Sequence, residues 1–285
     1  MILLILINFL TRIGFIALLV MSTFQGYKLN VTNYDVNLSS HSGTATILQI
    51  SDFHNRGYVF DNGSFFDVVD AYAFDYVFFT GDIVDERTKD FTQVEELFAH
   101  YADYECFYVT GNHEFAMSED KRLAFFSLLN EYNIIRLGQN NYYPLSRLSS
   151  TYVIGVDDPY QYAGLDITRE ENDELYFTDL EQEINNLPPE TATILLAHRP
   201  EYFKEYANYG VDVIFSGHTH GGQINFPGRN DLINMVSSRP FYSGGIFYEQ
   251  SSTMINSRGI GYSTLKIRFG SGTSAEVTLT KIRGV

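Results

Sequence analysis

The chain has 285 residues, of which 45% are hydrophobic and 19% charged, so it carries enough apolar material for a core and is not globally disordered. Its net charge is −16, which excludes a diffuse basic surface for long nucleic acids. The single cysteine, Cys106, excludes an internal disulfide framework and a cysteine-rich zinc site. An anionic substrate would therefore need another source of positive charge, and a metal ion is the obvious candidate.

Residues 1–24 form an apolar segment whose only charge is Arg12. About 20 apolar residues can span a bilayer, although a charge near mid-helix costs about 2.5–3.5 kcal/mol. We expect a membrane anchor, single-pass or peripheral, and hence a cell-membrane location. A signal segment, a helix lying in the membrane interface and a buried helix of the fold are the alternatives. The flanking charges are too few to predict which side of the membrane the protein faces.

Residues 25–285 are expected to form a single domain, because they contain no linker, repeat or low-complexity tract. Five short runs are almost continuously apolar, which is typical of strands buried on both faces of a sheet. They are residues 46–50, 75–80, 106–110, 193–197 and 211–216. Four further stretches alternate polar and apolar residues and predict additional strands. These are residues 32–38, 151–156, 262–269 and 275–282.

Helical patterns lie between the apolar runs. Residues 91–101 place five apolar side chains on one helical face, and Thr92 with Glu95 fits a capping box at the start of this helix. Thr178 with Glu181 repeats that signature and predicts the start of a second helix. Strands that alternate with helices predict an α/β fold with the helices outside the sheet.

Each of the five apolar runs is followed at once by polar residues of metal-ligand type. The five clusters are Ser51-Asp52-Phe53-His54, Gly81-Asp82-Ile83-Val84-Asp85, Gly111-Asn112-His113-Glu114, His198-Arg199-Pro200 and Gly217-His218-Thr219-His220-Gly221-Gly222-Gln223. Ligands of open α/β sheets bind at the carboxyl ends of the strands, so these loops should converge on one edge. Five of the seven histidines lie in these loops, which favours one shared site over five separate surface turns.

This ordered set resembles the signature of the calcineurin-like metallophosphoesterases, with Phe53 where that family usually has Leu. The closing Gly-Gly-Gln and residues 256–261, Asn-Ser-Arg-Gly-Ile-Gly, look like its membrane-associated bacterial branch. The resemblance implies a four-layer α/β/β/α sandwich with two packed mixed sheets. It also implies a phosphoesterase that uses two divalent metal ions, Mn, Fe or Zn, with Mn favoured.

The resemblance further implies a role for each matching residue. One metal ion would be held by Asp52, His54, Asp82 and His220, and the other by Asp82, Asn112, His198 and His218. A carboxylate such as Asp82 can bridge two ions about 3.5–4 Å apart. Two carboxylates against two divalent ions leave the centre net cationic, which would let an acidic protein bind an anionic substrate.

The implied reaction is attack of a hydroxide, formed from water between the two ions, on phosphorus. His113 would protonate the leaving alkoxide or stabilise its charge. Asp85 would orient His113 as in an Asp–His pair, and Glu114 would hold the loop. Arg56, together with Arg229, could contact a second phosphate, although both could equally be solvated surface side chains.

The expected function is hydrolysis of phosphomonoesters or phosphodiesters, on a lipid-linked substrate if the chain is anchored at a membrane. A small-nucleotide phosphodiesterase is the alternative enzyme. A catalytically silent scaffold is the non-enzymatic alternative, although such a protein should have lost a ligand or His113, and this chain has them all. No protein partner is inferred.

Overall fold

A computed structural model describes residues 7–14, 28–39, 42–222, 242–261 and 274–284. The strands in these ranges are β1 (Leu29–Leu38), β2 (Thr44–Ile50), β3 (Val59–Phe60), β4 (Gly63–Ser64), β5 (Tyr76–Thr80), β6 (Glu105–Val109), β7 (Ile135–Arg136), β8 (Tyr143–Pro144), β9 (Thr151–Val156), β10 (Ala192–Ala197), β11 (Val213–Ser216), β12 (Gly245–Glu249), β13 (Ser252–Asn256) and β14 (Ala275–Gly284). The helices are α1 (residues 7–14), α2 (Phe65–Val69), α3 (Thr92–Tyr101), α4 (Asn112–Ala116), α5 (Glu119–Glu131), α6 (Arg169–Asn185) and α7 (Phe203–Asn208).

The strands build two six-stranded mixed sheets and a small β3–β4 hairpin. The first sheet has the order β1-β14-β2-β5-β6-β7, and the second has the order β12-β13-β11-β10-β9-β8. In the first sheet β2, β5, β6 and β7 are parallel, whereas β14 is antiparallel to β2. In the second sheet β9, β10, β11 and β13 are parallel, and β8 and β12 are antiparallel edge strands.

The two sheets pack face to face and share a central core. Successive residues of a strand point to opposite faces of its sheet, so each central strand contributes to this core and to an outer one. In β2, Ile47 lies in the core between the sheets, whereas Leu48 lies in the core under the helices of the first sheet. In β10, Ile194 faces the same central core, and Leu195 faces the helices of the second sheet. Every residue of β5 and of β10 is buried, as the continuous apolar runs predicted.

Helices cover the outer face of each sheet. Helices α3 and α5 pack on the first sheet through Val94, Leu97, Phe98, Phe125 and Leu129. Helices α6 and α7 pack on the second sheet through Tyr176, Leu180, Phe203 and Tyr206. The architecture is therefore the four-layer α/β/β/α sandwich that the family resemblance implied.

The strand predictions are confirmed within three residues wherever the structure describes the chain. The five apolar runs are β2, β5, β6, β10 and β11, and the alternating stretches 32–38, 151–156 and 275–282 lie in β1, β9 and β14. The predicted strand at residues 262–269 lies outside the described residues.

Both predicted capping boxes were wrong. Helix α3 has Phe91 at its N-cap with no side-chain hydrogen bond, and Thr92 is already helical. Thr178 lies inside α6, where its hydroxyl donates to the carbonyl of Glu174. The box of α6 is formed by Thr168 and Glu171, nearly three turns earlier.

In the amino-terminal segment, the structure describes the eight-residue helix α1. The large apolar side chains of this helix, Ile7, Phe9, Leu10 and Ile13, are 48–59% exposed. Within the described residues, no helix has both the length and the apolar character needed to cross a bilayer. The rest of the predicted anchor, residues 1–6 and 15–24, lies outside the described part of the chain.

Candidate metal centre

The five polar clusters meet at the carboxyl ends of parallel strands from both sheets. Asp52 lies two residues beyond the end of β2, Asp82 lies two residues beyond the end of β5, and Asn112 lies three residues beyond β6. His198 directly follows β10, and His218 lies two residues beyond β11. The site therefore stands where the edges of the two sheets come together.

The first two loops run side by side. The amide of Asp52 donates to the carbonyl of Gly81 at 3.0 Å, and the amide of His54 donates to the carbonyl of Asp82 at 3.0 Å. Gly81 has a φ of +87°, and a Cβ there would lie 2.6 Å from Nδ1 of His198. Only glycine accommodates both the left-handed backbone and the close imidazole, so this position lets His198 reach the first two loops.

Five candidate ligand residues have left-handed backbones, which non-glycine residues rarely adopt. They are Asp52, His54, Asp82, His218 and His220, with φ between +48° and +71°. Each such residue costs about 1–3 kcal/mol and persists only where surrounding contacts enforce it. Five strained backbones in adjacent loops are typical of a functional site. The backbone hydrogen bonds between these loops, such as those made by the amides of Asp52 and His54, hold the strained conformations in place.

Asp52, His54, Asp82 and His220 form the first ligand group. One ligand atom from each lies within 4.8 Å of those from the others. The Nε2 atoms of His54 and His220 are 3.4 Å apart, and His220 Nε2 is 3.4 Å from Oδ1 of Asp52. Two imidazole nitrogens and two carboxylates that converge in this way are suitable ligands for a divalent cation.

Asp82, His198 and His218 form the second group, again with ligand atoms within 4.8 Å of one another. Nε2 of His198 lies 3.2 Å from Oδ2 of Asp82, and Nδ1 of His198 bonds the carbonyl of Thr80 at 2.7 Å. Asp82 thus belongs to both groups, as expected for a bridging carboxylate. The first group contains the four residues that the resemblance implied, and the second contains three of its four, without Asn112. Their role as metal ligands remains a prediction.

The donor atoms fit a pair of divalent cations. Among the described residues, Oδ1 of Asn112 is buried and accepts no hydrogen bond, and buried polar atoms are seldom left without a partner. Cys106 lies elsewhere, in the core beneath α3, so the described ligand atoms are all nitrogen and oxygen. Such a set suits Mn, Fe or Zn rather than a thiolate-bound ion.

Burial and mutual charge shift the pKa values of these groups. Burial lowers the pKa of His198, but Asp82 and Asp52 outweigh that effect and raise it to about 10. Burial raises the pKa of Asp82, yet His198, His113 and His54 together hold it well below its usual range. His218 differs, because burial and the neighbouring Arg199 both lower its pKa.

His113 is the second residue of α4, and its ring faces Asp82. Its amide donates to Oδ1 of Asp82 at 2.9 Å, and its Nε2 lies 4.0 Å from Oδ2 of Asp82. Its ring packs edge-on against His54 with centroids 4.7 Å apart. Its Nδ1 is 2.9 Å from Oε2 of Glu86. Although burial lowers the pKa of His113, Asp82 and Glu86 raise it above its ordinary value.

Asp85 is not the partner of His113, contrary to the sequence expectation. Its carboxylate accepts from the amide and guanidinium of Arg87 at 2.8 Å and lies 3.7 Å from Nδ1 of His54. These contacts turn Asp85 towards the first ligand group and leave Glu86 to pair with His113. Sequence reasoning assigned no role to Glu86, and the only feature that could have pointed to it is its position directly after Asp85.

Glu114 holds loop geometry, as predicted. Its buried carboxylate accepts from the amides of Asp82, Ile83, Val84 and Gly111 at 2.7–3.3 Å. Burial and Asp82 raise its pKa to about 7. Glu114 therefore ties the second loop to the third, and places Asp82 next to Asn112.

The Arg56 guanidinium, which was predicted to contact a phosphate, already has partners within the protein. Its Nη1 donates to the carbonyl of Ile260 at 2.6 Å, and its guanidinium lies 4.7 Å from the centroid of the Phe60 ring. Arg56 also lines an open pocket of about 530 Å³ that includes His54 and Asp85. Arg229 lies outside the described residues.

A model of the calcineurin-like phosphoesterase family matches residues 45–222, which contain all seven candidate ligands and His113. The chain belongs to this family. The Asp82 that the two ligand groups share fits a dinuclear divalent centre.

Individual relatives agree with this membership. The chain is 34% identical over 181 residues to a bovine transmembrane protein with a metallophosphoesterase domain, covering 60% of this chain and 37% of that protein. It is 29% identical over 232 residues to an uncharacterised metallophosphoesterase of Campylobacter jejuni, covering 77% of this chain and 58% of that one. The chain thus spans less than two thirds of either relative.

A solved structure supports the fold alone. The sulfate thiohydrolase SoxB of Thermus thermophilus superposes with a TM-score of 0.50 at 14% identity, covering 85% of this chain and 57% of that chain.

Proposed function

We propose that this protein hydrolyses phosphomonoesters or phosphodiesters at a centre of two divalent cations, with manganese the favoured ion. The observation that carries the proposal is that Asp82 contributes to two adjacent ligand groups, each completed by histidines from other loops. Two cations about 3.5–4 Å apart can share one carboxylate in this way. When bound, they would neutralise phosphoryl oxygens and lower the pKa of water to about 7.

The residues of the chain supply ligand geometry and a proton. Asp52, His54 and His220 would complete one cation position, and Asn112, His198 and His218 the other. His113 places Nε2 towards the shared aspartate while Glu86 fixes Nδ1 at 2.9 Å. Nε2–H would therefore donate its proton to the oxygen of the leaving alcohol, a contribution worth about 10²–10⁴ in rate.

A location at a membrane, and a lipid-linked phosphoester as substrate, complete the proposal. Its support is the apolar segment 1–24, the exposed apolar side chains of α1 and the description of the bovine relative as a transmembrane protein. The segment from Asn256 to Gly261 supports placing the chain in the membrane-associated bacterial branch of the family. An exposed row of Ile7, Phe9, Leu10 and Ile13 is costly in water and stable in an acyl layer.

Hydrolysis of p-nitrophenyl phosphate and bis-p-nitrophenyl phosphate tests the reaction. We expect turnover that requires added Mn²⁺ and stops with a chelator. Asp82→Asn should lower kcat by roughly 100-fold or more, since it weakens both cation positions. His100→Gln is the matched control, because His100 pairs with Asp70 outside the site and should keep full activity. Chelator-resistant turnover would contradict the proposal, and two bound cations without any turnover would favour the scaffold.

Membrane fractionation and substrate comparison test the location and substrate. The full chain should sediment with membranes, and Leu10→Asp with Ile13→Asp should release it into the soluble fraction. A matched pair of substrates, a lipid-linked phosphoester and its water-soluble headgroup, should then differ in kcat/KM in favour of the lipid. Preference for a small nucleotide over the lipid would instead support the alternative phosphodiesterase.

A further inference from the structure

Strand β13 ends beside the candidate metal centre but adds no member to either ligand group. It runs parallel to β11, and its last residue, Asn256, lies opposite Ser216 in the register. Its carboxyl end therefore meets the loop after β11, which carries His218 and His220. The Asn256 side chain is fully buried, and its Nδ2 donates to the hydroxyl oxygen of Thr219, between those two histidines, at 3.0 Å.

The orientation of the Asn256 amide is fixed. Its Nδ2 also lies 2.5 Å from the carbonyl oxygen of Tyr242, and a carbonyl oxygen can only accept. The atom that faces this carbonyl must therefore be the nitrogen, which has a second proton to donate to Thr219. Because Thr219 is buried as well, loss of this bond would leave buried polar atoms without a partner.

The residues on either side of Thr219 have strained backbones. His218 and His220 have φ of +71° and +48°, and such conformations persist only where surrounding contacts enforce them. Two backbone bonds tighten the turn between them. The amide of Thr219 donates to the carbonyl of Gly217, and the amide of Gly222 donates to the carbonyl of Thr219, each at 2.8 Å. The side-chain bond to the Thr219 hydroxyl ties the middle of this turn to β13.

We propose that Asn256 is a positioning residue that holds the turn around Thr219 and so aims His218 and His220 at the two cation positions. His220 belongs to the first ligand group and His218 to the second, so one buried amide acts on both groups. The inference rests on the proposed function only in that it takes these groups as cation sites.

A purely structural role would change the stability of the fold without changing cation binding. Ser252 provides the comparison, because it lies at the other end of β13, is buried, and donates its hydroxyl to the carbonyl of Val211. Ser252→Ala should lower the urea midpoint of unfolding and leave cation binding unchanged. Loss of positioning should weaken binding, since groups that orient metal ligands typically contribute about 10–100-fold in affinity.

Titration calorimetry with Mn²⁺ on the full chain measures binding. We expect two equivalents in the unaltered protein, and a loss of affinity of about 10-fold or more for both in Asn256→Leu and in Thr219→Val. The double variant should lose no more than the more affected single variant, because both changes break the same bond. Thr219→Ser, which keeps the hydroxyl, should bind nearly normally. Additive losses, normal binding by Thr219→Val, or an equal loss in Ser252→Ala would overturn the inference.

Hydrogen exchange in the metal-free protein is a second measurement that needs no cation. The amides of Thr219 and Gly222 should exchange about 3–10-fold faster in Thr219→Val, the effect of losing one buried hydrogen bond, and at nearly the unaltered rate in Thr219→Ser and Ser252→Ala. Equal rates in all these proteins would overturn the inference. Failure of the unaltered protein to bind Mn²⁺ would instead count against the proposed function, and the exchange rates then decide whether Asn256 holds the turn. Should Asn256→Leu not fold, the comparison of Thr219→Val with Thr219→Ser decides.

Discussion

At the scale of single residues, the position of one carboxylate decides which histidine it serves. Asp85 and Glu86 are neighbours in the chain, yet Asp85 lies against His54 and Arg87 while Glu86 bonds His113. The turn from Asp85 to Thr88, in which Asp85 accepts from the amide of Arg87, makes this choice. Sequence spacing could not have predicted it, because the choice depends on loop torsions rather than on residue type.

The Glu86 contact predicts a shift in the pH dependence of turnover. A protonated His113 is required to donate, so activity falls as pH rises through its pKa. Glu86→Gln removes a negative charge that favours the protonated ring, so the alkaline limb should move to lower pH. We expect a small shift, since Glu86 is half-exposed and its effect is screened. The measurement is kcat against pH with saturating Mn²⁺.

Asp85→Asn is the matched comparison for that experiment. Because Asp85 lies beside His54 rather than His113, this variant should reduce metal content and leave the alkaline limb in place. A shift in the limb with Asp85→Asn and none with Glu86→Gln would restore the sequence-based pairing.

In the metal-free protein, the pKa values of the two histidines of the second group should be shifted in opposite directions. Burial lowers the pKa of His198, but Asp82 and Asp52 raise it to about 10, so its ring should stay charged at pH 8. Burial and Arg199 lower the pKa of His218, so that ring should stay neutral at pH 6. Histidine ¹⁵N shifts recorded from pH 6 to 9 after chelation check both. Loss of the His198 proton below pH 7 would contradict the coupling to Asp82.

At the scale of elements, strands were predictable and helix starts were not. The apolar runs of β5 and β10 stand out because both of their faces are buried. Helix α6 begins at Arg169, but its first turns are polar and exposed. The apolar periodicity therefore appears only later in the helix, and for this reason the predicted start at Thr178 was too late. A Thr with a Glu three residues on recurs inside helices as well as at their ends, and only the backbone torsion of the Thr separates the two cases.

The segment from Asn256 to Gly261 holds the loop that follows β2, which the sequence motif alone did not indicate. The amides of Ile260 and Gly261 donate to the carbonyls of Ser51 and Asp52 at 3.1 and 2.6 Å. Arg258 forms an ion pair with buried Glu276 on β14, at 2.5 Å. The segment thus joins the loop after β2 to the neighbouring strand of the same sheet.

Gly259 provides a test of this contact between the segment and the loop after β2. Its φ is +68°, and a Cβ there would lie 2.5 Å from Cβ of Asp52. Gly259→Ala should therefore destabilise the fold and also displace Asp52, with loss of the cation held by the first group. Gly210→Ala is the matched control, because Gly210 has a φ of +78° with open space around it.

We expect Gly210→Ala to cost only the backbone strain of about 1–2 kcal/mol. Urea unfolding measures stability, and elemental analysis measures metal content. Equal metal content in the two variants would show that the segment does not position Asp52.

At the scale of the whole molecule, the centre joins two sheets of one acidic protein. The loops after β2, β5 and β6 come from the first sheet, and those after β10 and β11 come from the second. Convergence of these loops was predictable, because each apolar strand ends in ligand-type residues. The orientation of each ring was not, because it depends on contacts such as that of His198 with the carbonyl of Thr80, made between residues 118 positions apart.

This placement predicts that the cations stabilise the whole fold. A ligand that binds only the folded state adds about 2.7 kcal/mol at 100 times its Kd. For a domain of this size we expect Tm to rise by about 5 °C or more with saturating Mn²⁺ relative to chelator. Differential scanning calorimetry on the full chain measures this shift. Asp82→Asn, which weakens both positions, should show little response, whereas His100→Gln should respond like the unaltered protein. Equal Tm values with Mn²⁺ and with chelator would mean that the loops of the two sheets are not held together by bound ions.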